Sequence, residues 1–132
     1  MQTSKIERTM FNIVVDDVSA VSDFYTQLLS FEQTFVSDWY VVVVPKDGPR
    51  LELGIIARTS DVTPHAAANP PGGGYLTFVV ENVLFAFEQA KAMNADIIEP
   101  PTDMDYGQRR MILRDPAGTV IDISSLTPTM TA

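Results

Sequence analysis

The chain says nearly the same thing twice. "MFNIVVDDV" begins at Met10, and "YLTFVVENV" begins at Tyr75, sixty-five residues later. In both, an apolar run ends in a valine pair, Val14-Val15 or Val79-Val80. An acidic residue, a short polar residue and another valine follow. A duplication of this kind narrows the choice of folds sharply. Two copies of one local unit must each bury an apolar face, and 132 residues suffice for one domain with a real core.

Each copy continues in the same order. Asp17 and Asn82 stand where a helix N-cap belongs, because their side-chain oxygens can accept otherwise unbonded backbone N–H groups. After Asp17, the residues Val18, Val21, Phe24, Tyr25, Leu28 and Leu29 recur at helical spacing. After Asn82, so do Val83, Ala86, Phe87, Ala90 and Met93. "FEQTFVSDWYVVVV" predicts two strands turning near Ser37-Asp38, "PKDGPR" a tight turn and "LELGIIA" a further strand. "ADIIE", "RRMILR", the turn "DPAG" and "TVIDISS" repeat that order. The expectation is an α+β chain of two tandem βαβββ modules, at about 8–58 and 73–126, within a single domain spanning 1–132. The linker at 58–73 is rich in Pro, Gly and Ala, and the tail "LTPTMTA" is expected to fray.

Composition removes several functions. There is no cysteine, which excludes disulfides, thiolate metal sites and a cysteine nucleophile. No apolar run approaches the roughly 18 residues that cross a bilayer, and "MQTSKIERTM" lacks a signal-peptide core. The expected setting is cytoplasmic, with no membrane partner. A net charge of -8 opposes nucleic-acid binding, which needs a basic surface. It leaves room for a cationic ligand, although most such charge is solvated surface.

Strand alternation then singles out four positions. Met10 and Tyr75 are equivalent across the repeat, and Glu52 and Asp122 are the acids in "LEL" and "IDI". A carboxylate flanked by large aliphatics faces either solvent or a polar cavity. Trp39 and Tyr40 should point to opposite faces of their strand, so one would wall a cavity or simply pack. In "DYGQRR", Tyr106 with Arg109 or Arg110 either closes over a pocket or forms an ordinary salt-bridged surface loop. His65, the only histidine, falls in the linker and is expected to be exposed. Val41 to Val44 is a buried strand, and "PPGGG" lacks the lysine of a phosphate loop.

The duplicated pattern, with "VSDFYTQLLSFE", "GGGYLTFVVENV" and "YGQRRMILRDPAGTVIDI", resembles the vicinal oxygen chelate superfamily. That group holds glyoxalases, bleomycin-resistance proteins and extradiol dioxygenases. The resemblance runs from about Met10 to Ser125. It implies a curled mixed β-sheet around a central cavity, with helices outside and commonly a homodimer. It also implies that Met10, Glu52, Tyr75 and Asp122 occupy the places where metal-dependent members carry His or Gln and Glu.

Here the residues depart from that pattern. A thioether is a poor ligand for hard divalent ions, and a tyrosine must first lose a proton with a pKa of about 10. The expectation is therefore no metal and no cofactor, with a divalent metal as the alternative. The leading functional reading is a metal-free protein that binds a small organic molecule, similar to the bleomycin-resistance branch. Its ligand would contact Met10, Trp39, Tyr40, Glu52, Tyr75, Tyr106, Arg109, Arg110 and Asp122. Two carboxylates in one cavity suit a cationic or hydrogen-donating ligand, unless Arg109 or Arg110 neutralises them. The alternative is an enzyme with Glu52 and Asp122 as catalytic residues: a lactoylglutathione-lyase-like lyase, a dioxygenase, or an isomerase using one of them as general base.

Overall fold

The computed structural model describes residues 3–69 and 72–127, so the tail from Pro128 onward, expected to fray, lies outside the described residues. The first module runs β1 (Met10–Val15), α1 (Val18–Leu29), β2 (Phe31–Val36), β3 (Tyr40–Pro45) and β4 (Glu52–Ala57). The second runs β5 (Leu76–Val79), α2 (Val83–Ala92), β6 (Asp96–Asp103), β7 (Gln108–Arg114) and β8 (Val120–Leu126). Both caps form where the repeat placed them. The Asp17 carboxylate accepts from the Ala20 N–H at 2.9 Å, and the Asn82 amide oxygen accepts from the Leu84 N–H at 3.0 Å. α1 ends on Ser30 in the left-handed region.

The strands form two four-stranded mixed sheets, ordered β1-β4-β3-β2 and β5-β8-β7-β6, not closed into a barrel. In each, the first strand lies parallel to the last and the remaining pairs are antiparallel. Parallel pairing needs a long crossover, and the helix with the two strands after it supplies one.

Alternation gives each sheet two distinct faces. Ile13, Val15, Val41, Val43, Leu53 and Ile55 form the helix side of the first sheet, and Met111, Leu113, Ile121 and Ile123 that of the second. These join Phe24, Tyr25 and Leu28 of α1 and Val83, Ala86 and Ala90 of α2 in one core. The modules therefore share their apolar interior. Phe31 meets Phe78 edge-on at 5.7 Å, and Tyr25 reaches the same ring at 6.4 Å. The fully buried Tyr25 hydroxyl donates to Asp115 Oδ2 at 2.7 Å across the modules. The other Asp115 oxygen accepts the Ala117 and Thr119 N–H groups, both at 2.9 Å, and so shapes the β7–β8 turn. Burial, with the adjacent Asp115 charge, pushes the Tyr25 hydroxyl well above its ordinary pKa, so it remains a donor.

Candidate functional site

The opposite face of each sheet turns away from this core, and there the polar positions collect. On β4 the positions of this face are Glu52, Gly54 and Ile56. Met10 lies beside Glu52, Asn12 beside Gly54, and β3 brings Val42 and Tyr40 beside Gly54 and Ile56. Glu52 is only 4% exposed. Its carboxylate is held at both oxygens by Arg8, with Nε 2.6 Å from Oε2 and Nη2 2.5 Å from Oε1. Arg50 Nη2 stands 3.7 Å from the same Oε1. The Arg8 hydrogen bonds keep the Glu52 carboxyl below its ordinary pKa, against the opposing effect of burial.

Gly54 lets two side chains lie flat across the sheet. A Cβ there would overlap Asn12 Oδ1 and come within 2.8 Å of the Tyr40 hydroxyl. The Tyr40 hydroxyl instead donates to Asn12 Oδ1 at 3.2 Å and lies 3.9 Å from Met10 Sδ. Trp39 stacks on Tyr40 at 5.5 Å with 24° between the rings. Alternation does not separate these two, because β3 begins at Tyr40 and Trp39 belongs to the preceding turn. Phe35 joins them, 5.9 Å from Tyr40 and half exposed. The result is an aromatic shelf beside an ion pair.

The second sheet carries a different set. Asp122 lies beside Thr77 on β5 and Ile112 on β7, and Ser124 lies beside Arg110. Thr77 Oγ1 donates to Asp122 Oδ2 at 3.4 Å. Among the described residues, Asp122 Oδ1 and Ser124 Oγ are buried without a hydrogen-bond partner. Burial raises the Asp122 pKa, with Arg110 and Thr77 opposing. Arg110 Nη2 also stands 3.5 Å from Glu99. Arg109 is turned to the other face and pairs with Asp103 at 2.6 and 3.3 Å.

One sequence expectation is corrected here. Tyr75 precedes β5, is 65% exposed, and does not mirror Met10: the residue beside Asp122 is Thr77. Tyr75 instead borders an open cavity of about 600 Å³ with Phe11, Leu76 and Thr119. Glu52 and Asp122 both lie on sheet faces turned from the shared core, and the groups acting on them, Arg8 and Arg50 for one and Arg110 and Thr77 for the other, have no member in common. Tyr106 sits exposed in the β6–β7 turn, where Gly107 adopts φ 89°, and His65 is exposed at the start of a short 3-10 turn. Periodicity did not find Arg8, Asn12 or Phe35. Arg8 precedes the first strand, and a bulge between Gln33 and Phe35 breaks the alternation of β2.

A divalent metal does not fit these donors. Met10 offers a thioether, Arg8 occupies both Glu52 oxygens, and Tyr75 stands apart from Asp122. Among the described residues, no three His, Cys, Asp or Glu side chains converge.

The raised pKa of Asp122 gives a signed expectation. A carboxyl that binds its proton more tightly when folded lowers stability as pH rises from its ordinary value of 3.8 through its higher folded value. Asp122→Asn should therefore stabilise the protein at pH 7, and the gain should vanish below about pH 3.5, where the carboxyl is protonated in both states. Urea denaturation of both proteins at the two pH values checks this. A variant that is less stable at pH 7 contradicts it.

The family model described as the Glyoxalase/Bleomycin resistance protein/Dioxygenase superfamily matches residues 5–123. The chain belongs to that superfamily. Solved structures agree on the fold. A glyoxalase/bleomycin resistance protein/dioxygenase family enzyme from Burkholderia phytofirmans PsJN superposes with a TM-score of 0.73 at 23% identity, covering 89% of this chain and 97% of its own. A glyoxalase/bleomycin resistance protein/dioxygenase from Nocardioides gives 0.65 at 21%, covering 97% and 89%. TioX from Micromonospora sp. ML1 gives 0.65 at 16%, covering 91% and 100%. A search of curated protein sequences finds no match.

Proposed function

We propose that this chain is a metal-independent small-molecule binding protein of the bleomycin-resistance type, with its ligand on the aromatic face of the first sheet. The observation that carries this reading is the two-point Arg8–Glu52 pair. It places a guanidinium on the carboxylate that a metal-dependent member would spend on its ion. Phe35, Trp39 and Tyr40 add an aromatic surface wide enough for a planar molecule.

The outward faces also favour a homodimer. Exposed Phe35, Val36, Val79 and Leu126 invite cover, and a second copy could set one chain's Glu52 face against the other's Asp122 face. Light scattering that shows only monomer at tens of micromolar (on the order of common dimer affinities) would remove that part. Among the described residues, no helix is long and apolar enough to cross a membrane. A cytoplasmic setting without nucleic-acid partners remains part of this proposal, on the acidic balance of the chain.

A second reading rests on Asp122. Its raised pKa and unpartnered oxygen are what a general base needs, as in a lyase or isomerase of this superfamily. Titration calorimetry with zinc, nickel, manganese and magnesium separates the two. The binding reading expects no stoichiometric uptake by the native protein. Tight uptake of one ion, lost in Glu52→Gln, would promote the enzyme.

A further inference from the structure

Two carboxylates, Glu52 and Asp122, suit a cationic ligand only while no arginine neutralises them. The geometry of the first sheet points the other way. Two arginines, Arg8 and Arg50, converge on one Glu52 oxygen, so the site holds two cations against one anion. Arg8 uses Nε and Nη2 on the carboxylate. Among the described residues, its Nη1 has no hydrogen-bond partner, and Arg50 has no contact at hydrogen-bond distance. Both side chains are well exposed, at 62% and 77%, so their free N–H groups are open to a ligand. This excess positive charge stands in a protein of net charge -8, where surface chosen only for solubility would be acidic.

The aromatic shelf adjoins it. Tyr40 lies close enough to Arg8 and Glu52 to feel both charges, and it carries Trp39 on its face and Phe35 at its edge. We infer that the first sheet binds a planar aromatic anion, a carboxylate in the simplest case, with the ring on Phe35, Trp39 and Tyr40 and the acid on Arg8 and Arg50. Glu52 is then a positioning residue. It fixes the Arg8 guanidinium so that its free edge meets the anion without first losing rotamer freedom. A cationic ligand would have to displace Arg8 from a buried carboxylate, which breaks two charge-assisted hydrogen bonds to gain similar ones.

This inference rests on the small-molecule reading above, and the test separates the two. Trp39 is the only tryptophan, so its fluorescence reports on the shelf directly. Three probes of equal shape are titrated: 2-naphthoate, 2-naphthamide and 2-naphthamidine. Naphthoate should bind about tenfold more tightly than the neutral amide, the size expected of one added charge-assisted contact. That preference should shrink with added salt and fall close to parity in Arg50→Gln, whose melting temperature serves as the folding control. Arg8→Gln, which leaves Glu52 with only Arg50 at 3.7 Å, should likewise bring acid and amide close to parity. Equal binding of acid and amide, or tightest binding of the amidine to the native protein, overturns the anion inference but leaves the small-molecule reading standing. A naphthoate preference that survives both arginine variants also overturns it. If none of the three probes perturbs Trp39, both readings fall. Binding only in the presence of added zinc would defeat both as well, since the metal would then supply the charge.

Discussion

Replacing Asp115 with alanine is expected to destabilise the protein by about 3 kcal/mol at neutral pH, one of the largest effects of any single polar substitution here. The side chain is 4% exposed and accepts three hydrogen bonds. Two are backbone N–H groups of the β7–β8 turn, which cannot rotate to find water without unmaking the turn. The third is Tyr25, whose hydroxyl would be left without a partner at 0% exposure. Tyr25→Phe removes only the cross-module bond and should cost about 1.5–3 kcal/mol, as loss of a hydrogen bond to a buried charge does. The double variant should cost less than the sum of the two, because each single change already destroys the shared contact. Urea denaturation of the four proteins gives these values directly. Single variants within about 0.5 kcal/mol of the native protein would mean that the Tyr25–Asp115 bond does not hold the modules together.

That bond also shows where sequence reasoning reaches and where it stops. Tyr25 sits on the apolar stripe of α1 and reads simply as core. Asp115 sits in "DPAG" and reads as turn chemistry. Each reading is correct locally, and neither contains the other residue, 90 positions away. The repeat was legible because caps, turns and alternation are local: Asp17 and Asn82 cap as expected, and Val41 to Val44 are all buried. The pairing of β1 with β4 sets Met10 beside Glu52, whereas β5 begins one residue after the position that the repeat makes equivalent to Met10, and its register sets Thr77 against Asp122. A repeat offset counts residues along the chain, whereas register is decided by how the last strand lies against the first. Arg8 was out of reach for another reason. A charged residue ahead of the first strand carries no periodic signal, and only its bond to Glu52, 44 positions on, gives it a role.

Gly54 supplies the sharpest test of the aromatic site. Gly54→Ala is expected to change stability by less than about 1.5 kcal/mol, because the backbone there is ordinary and no left-handed conformation is at stake. Its effect on binding should be far larger. The new methyl would occupy the place of Asn12 Oδ1 and press on the Tyr40 hydroxyl, so both side chains must leave the sheet surface. Trp39 moves with Tyr40, since the two rings are stacked. A naphthoate-class ligand should then bind about tenfold more weakly or worse, the cost of losing one aromatic contact at its proper angle. Gly48→Ala is the matched control. Gly48 adopts φ +99° with open space around it, so alanine there strains the backbone and costs about 1 kcal/mol without approaching the shelf. The two glycines thus answer to different physics, one to sterics over a binding surface and the other to turn conformation. If Gly48→Ala weakens binding as much as Gly54→Ala does, binding follows overall stability, and the flat floor under Tyr40 and Asn12 is not what shapes the site.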